Sequence, residues 1–163
     1  MNNWEEIAAS TALIGIGATA VMDAWLVLLK KLNIPTLNFA LLGRWIGHVL
    51  RGQWFHQGMA KSAPIRHELA IGWLAHYGIG TGFGALHIAL FGVEWLINPT
   101  FAPAITTGIA TVAAPLFIMQ PAMGSGIASV KTPTPIRNCI KSLINHSVFG
   151  CGIYLTGVLV HGV

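Results

Sequence analysis

Five side chains in this sequence carry chemistry that a lipid-facing surface tolerates poorly: Asp23, His76, Gln120, Asn145 and His146. Each interrupts a long apolar run. An ionisable group inside a membrane costs roughly 2.5–3.5 kcal/mol on insertion scales, so it normally faces a protein interior or a wet cavity. A carboxylate with two imidazoles and two amides suits the binding or transport of a polar solute: Asp23 supplies negative charge, and the imidazoles act as ligands or proton carriers. Two readings with a cofactor use the same residues. His76 and His146 suit bis-imidazole ligation of haem b, with Gly80 and Gly150 clearing space for a flat macrocycle. Met119 and Met123, two thioethers with imidazole nearby, suit a soft copper ion. The sequence contains no nucleophile-with-base pattern, phosphate loop or cysteine metal motif. Nothing in it argues for an enzyme.

Composition says what must position these groups. The chain has 163 residues, of which 54% are hydrophobic and 9% charged, with a mean hydropathy of +0.66. Soluble domains carry about a quarter charged residues, so an ordinary water-soluble core is excluded. The net charge of +4 comes from basic residues scattered beside apolar runs. They read as topology determinants and lipid-headgroup contacts rather than as a nucleic-acid surface. Cys139 and Cys151 are twelve residues apart on one expected helix, about 18 Å along its axis, too far for a disulfide within the chain. The first residues lack the basic region of a cleavable signal peptide.

The expected fold is an all-α polytopic membrane bundle in a single domain over residues 1–163. Four spans are expected, at about 7–31, 68–97, 101–129 and 136–162, and an amphipathic interfacial segment at 36–54. In the first span Gly15, Thr19 and Asp23 follow one another at four-residue spacing, a small-residue packing stripe. In the second, Gly72, His76, Gly80 and Gly84 share one face, and His87 joins it three turns on from His76. Pro115 and Pro121 interrupt the third span and free carbonyls that neighbours must satisfy. Between Leu41 and Leu50, apolar residues fall on one side of a helix while Arg44, His48 and Arg51 fall on the other. That pattern predicts an interfacial helix with a solvated basic face touching lipid headgroups. Trp4 and Trp54 suit the headgroup level, and His161 suits water.

Every Lys and Arg lies in just two connections: Lys30, Lys31, Arg44, Arg51, Lys61 and Arg66 in the first, Lys131, Arg137 and Lys141 in the third. The positive-inside rule puts both connections in the cytoplasm and both termini in the periplasm. Depths then follow at about 1.5 Å per residue. Asp23 lies eight residues before Lys31 and His76 eight after Glu68, each about 12 Å in; Gln120, Met123, Asn145 and His146 fall near that level. A polar layer at one depth is therefore expected. It can be a site, or glue that only orders the helices. Small residues throughout favour close helix contacts, a homo-oligomer or a place in a larger membrane complex.

Several blocks resemble a known family: Gly17-Ala-Thr-Ala-Val-Met-Asp23-Ala-Trp25, Leu37 to His48 (LNFALLGRWIGH), Gly72-Trp-Leu-Ala-His76-Tyr77, Ala114 to Gly124 (APLFIMQPAMG), Lys131-Thr-Pro-Thr-Pro135 and Asn145-His146-Ser-Val-Phe-Gly150. Together they are similar to the bacterial integral membrane proteins grouped as domain of unknown function 2938. The resemblance covers nearly the whole chain and implies a bacterial inner-membrane protein. It brings no activity, cofactor or substrate, and it places Asp23, Arg44, His48, His76, Gln120 and His146 inside its blocks.

Overall fold

The computed structural model describes residues 3–161, with the backbone alone at His161. The end of the expected fourth span at 162 and the His161 side chain therefore lie outside the described residues, as do residues 1 and 2. Among the described residues the fold is all-α, with no strand. Three helical stretches are long and apolar enough to cross a membrane, Trp4–Lys31, Phe101–Ala122 and Pro135–Val160. That is the character of a multi-pass membrane protein.

The first of these is helix α1, Trp4–Lys31. Asn3 caps it by accepting a hydrogen bond from the Glu5 amide at 3.1 Å. Glu5 and Glu6 in its first turn and Lys30 and Lys31 in its last complement the helix dipole. Helix α2, Phe39–Val49, starts at Asn38 in the same way. Helix α3, Glu68–Phe91, stops short of the expected 97. Gly92 follows with φ +82°, a left-handed conformation open to glycine at no steric cost, and a separate turn of helix, α4, runs over Glu94–Ile97.

Helix α5 covers Phe101–Thr111. Beyond it the chain widens into a π-helical segment at Ala114–Met119 and ends in the short α6, Gln120–Ala122. Pro115 and Pro121 explain the widening, because a ring in place of an N–H cannot continue an ordinary ladder. The expected span to 129 thus stops as helix at Ala122; residues 123–134 are turns, including Ile127–Ser129. Helix α7, Pro135–His161, opens with proline at its first position, where no amide partner is needed.

The chain divides into two compact units: Met1–Pro35, Tyr77–Thr111 and Asn145–Val163 form one, and Thr36–His76 with Val112–Ile144 form the other. In the first unit Ile14, Ala18, Ile88, Trp95, Phe149 and Ile153 are buried together. Small residues bring the helices close. A Cβ at Gly15 would come within 2.5 Å of Thr81 Cα, and one at Gly84 within 2.9 Å of Gly15 Cα. Gly108 and Gly150 repeat this between α5 and α7, a Cβ at Gly108 falling 2.6 Å from Gly150 Cα. In the second unit α2 crosses the start of α3 at Gly43 and Gly72, backbone to backbone. The glycine groove expected on α3 is therefore filled with helix, by α1 at Gly80 and Gly84 and by α2 at Gly72.

Gly78 on α3 meets nothing within 4 Å, which gives an internal control. Gly15→Ala should lower unfolding stability in detergent by about 1–3 kcal/mol through overpacking. Gly78→Ala should leave it unchanged or raise it by about 0.5–1 kcal/mol through helix propensity. Denaturation of the two purified variants by SDS titration measures the contrast.

Candidate functional site

In the first unit the polar side chains are held in pairs across helices. Tyr77 on α3 donates its hydroxyl to Asp23 Oδ2 on α1 at 2.9 Å. The indole of Trp25, half a turn further along α1, donates to Asn145 Oδ1 on α7 at 3.0 Å. Next to Asn145, His146 Nδ1 lies 2.9 Å from Thr111 Oγ1 on α5. That hydroxyl also lies 2.7 Å from the Gly108 carbonyl. With its one proton donated to Gly108, Thr111 accepts from His146, so the imidazole carries its hydrogen at Nδ1 and a lone pair at Nε2.

One turn back along α5, Thr107 Oγ1 lies 2.8 Å from His87 Nδ1 on α3. Both are buried, His87 completely. Trp95 stands edge-on to the His87 ring, centroids 4.2 Å apart. His87 Nε2 has no hydrogen-bond partner. The first unit thus contains a polar seam that runs Tyr77–Asp23, Trp25–Asn145, Thr111–His146, Thr107–His87.

The second unit holds His76 and Gln120. His76 is buried against Phe39, ring centroids 4.6 Å apart, with Trp73 at 5.9 Å. Gln120 Oε1 accepts from Ser129 Oγ at 2.9 Å. It thereby braces a turn in which Ala128 and Ser129 take left-handed conformations, φ +50° and +61°. Met119 and Met123 are joined through their backbones, Met123 N donating to Met119 O at 2.9 Å. No group of three or more His, Cys, Asp or Glu side chains suited to a metal ion occurs among the described residues. The glycines expected to clear a macrocycle admit neighbours instead: Gly80 faces Thr19, and Gly150 faces the α5 backbone at Ala104 and Ile105.

The basic face of α2 differs from its expected form. Arg51 lies in the turn beyond the end of α2 and is exposed, whereas Arg44 and His48 on the helix are not. Arg44 makes a two-pronged ion pair with Glu68 at the start of α3, Nε to Oε2 at 2.8 Å and Nη2 to Oε1 at 2.9 Å. It also donates to the Ser62 carbonyl at 3.0 Å. The carboxylate holds the Arg44 guanidinium more firmly protonated than an ordinary arginine, chiefly through those hydrogen bonds. His48 is buried, its Nδ1 2.7 Å from Gln53 Oε1 and its Nε2 2.9 Å from the Ala63 carbonyl. A guanidinium fork matches a carboxylate better than it matches water, so this face organises the loop instead of lying solvated.

Asp23, Asn145 and His146 were legible as costly polar groups in apolar helices. Tyr77, Trp25, Thr107 and Thr111 were not, because each passes for an interfacial or packing residue until its partner is known. His87 had a signal, its place three turns from His76. The threonines at four-residue spacing on α5 had one too, since that spacing puts both hydroxyls on one face.

An all-α chain with three helices long and apolar enough to cross a membrane, and with paired polar groups among its helices, has the character of a multi-pass membrane protein. More particularly, it belongs to the family described as Protein of unknown function (DUF2938), which it matches over residues 12–160. Comparison with curated proteins and with solved structures finds no match.

Removing the phenol hydroxyl isolates one pair of the seam. Tyr77→Phe should cost about 1–2 kcal/mol of unfolding stability, the range for a hydrogen bond with a carboxyl partner, with helix content unchanged by circular dichroism. A neutral result would mean that Asp23 is satisfied without the phenol.

Proposed function

We propose that this chain is a bacterial inner-membrane protein of four crossings that binds and carries a small cationic or polar solute at an intramembrane site centred on Asp23, with Asn145 and His146 in the same unit. The pairing of Asp23 with Tyr77 carries the reading. A carboxylate placed within an apolar helix is expensive, and here it is presented from α1 to a facing helix rather than to lipid.

Helix α3 supplies the fourth crossing. Its 24 residues extend about 36 Å, beyond the roughly 30 Å hydrocarbon core. Glycine and histidine lower its hydropathy, yet Leu69, Leu74, Ile79, Leu86 and Leu90 cover its exposed side. With α3 included, all nine basic residues fall on one side, which supports periplasmic termini. In this arrangement α2 lies at the cytoplasmic interface, tied down by Arg44 and Glu68. Arg51 and Lys61 remain exposed toward anionic headgroups.

A panel of small inorganic and organic cations, added to the purified protein in mild detergent, tests the assignment by thermal unfolding. A bound cation at about 100 times its Kd should stabilise the wild type by about 2.7 kcal/mol, and Asp23→Asn should remove that gain while remaining folded. Equal stabilisation of both proteins would take Asp23 out of the site.

A further inference from the structure

His87 is the most unusual polar group in the first unit. It is completely buried, yet one ring nitrogen has no partner. A buried donor or acceptor left unmade is costly, and native structures seldom keep one without a use for it. The other nitrogen meets Thr107, and Thr107 stands one turn from Thr111, which meets His146. Side chains at that spacing share one helix face, with Cβ atoms about 5–6 Å apart, and the proposed path needs one bridging water between the two hydroxyls.

We propose that His87 and Thr107, followed by Thr111 and His146, form a proton path through the first unit, with Nε2 of His87 as the proton-accepting atom. The path presupposes the intramembrane site read at Asp23 and makes the proton its coupling ion. A proton, alone among ligands, needs no cavity at a fully buried nitrogen. Transfer consists of hops only. One proton joins His87 Nε2, the proton on Nδ1 passes to Thr107 Oγ1, and the hydroxyl's own proton moves on through water to Thr111. Thr111 then turns its hydroxyl from the Gly108 carbonyl and passes its proton to His146 Nδ1, with His146 in its Nε2–H tautomer for this step. No bond between heavy atoms changes, and one positive charge moves per event.

Position agrees with this role. From His87 back to Tyr77 is ten residues of α3, about 15 Å, or half the hydrocarbon thickness. Beyond His87 the helix breaks at Gly92, and the exposed Glu94 carboxylate lies beside that glycine. Glu94 thus gives the outer end an acidic group and Asp23 gives the inner end another. Thr107, Phe91 and Trp95 lie against His87, and none of them is charged. Across the unit, α1 has no charged residue between Glu6 and Asp23, α5 has none, α4 brings Glu94, and α7 brings His146, Cys151 and Tyr154 as titratable groups.

The full-length protein in liposomes loaded with a pH-sensitive dye tests the path. A potassium diffusion potential set by valinomycin should drive proton uptake above that of empty vesicles. His87→Gln and Thr107→Val should each slow it roughly tenfold or more. Uptake equal to empty vesicles, or unchanged in both variants, overturns the path. Should His87→Gln fail to fold, ¹⁵N NMR of the wild-type imidazole decides. Two protonation or tautomeric forms between about pH 5 and about pH 9 support the path, and one fixed neutral tautomer throughout overturns it. Loss of cation stabilisation in Asp23→Asn reads the binding site alone, so failure of that site and failure of the path give different results.

Discussion

Backbone lying directly on backbone, where Gly15 of α1 meets Thr81 and Gly84 of α3, is the constraint on which the first unit depends. No side chain fits between them. In a membrane there is no hydrophobic gain from moving an apolar side chain out of lipid and against another helix. Contact is instead driven by close packing and by hydrogen bonds made across the interface. The close approach brings the Tyr77 hydroxyl within reach of Asp23, and the parallel contact of Gly108 with Gly150 brings Thr111 to His146. Glycine packing and polar pairing are one arrangement seen at two levels.

The second unit solves a different problem. Its helices are short or broken, so turns must satisfy the amides and carbonyls that helices leave open. The amides of His56 and Met59 donate to the carbonyls of Ala122 and Met123 at 2.8 and 3.0 Å. Arg44 spends its fork on Glu68 and its remaining donors on the loop carbonyls. Gly124, with φ +96° and the Gln57 and Gly58 backbone against it, admits no side chain. A basic helix that reads as a lipid-facing surface is in this setting an internal clamp.

The two histidines first considered as a pair have different neighbours, each within its own unit. His146 sits beside a hydroxyl, its Nδ1 on Thr111. His76 sits against aromatic rings, and its neighbour Tyr77 makes the hydrogen bond to Asp23. Adjacent positions on α3 thus serve different units.

Hydropathy alone determined that this chain folds into helices long and apolar enough to cross a membrane, since spans of about twenty apolar residues have few other fates in water or lipid. Asp23, Asn145 and His146 stood out because their cost in lipid is a property of the residue itself. What each of them touches was decided only by tertiary structure. A hydrogen bond across helices depends on rotation and close approach, and these are set by which glycines meet. Thr107, Thr111 and Tyr77 look like packing residues in one dimension, and Arg44 and His48 look like a solvated face. Their roles come from partners 20 or more residues away for four of the five and from the Ala63 carbonyl for His48, beyond the reach of any local pattern.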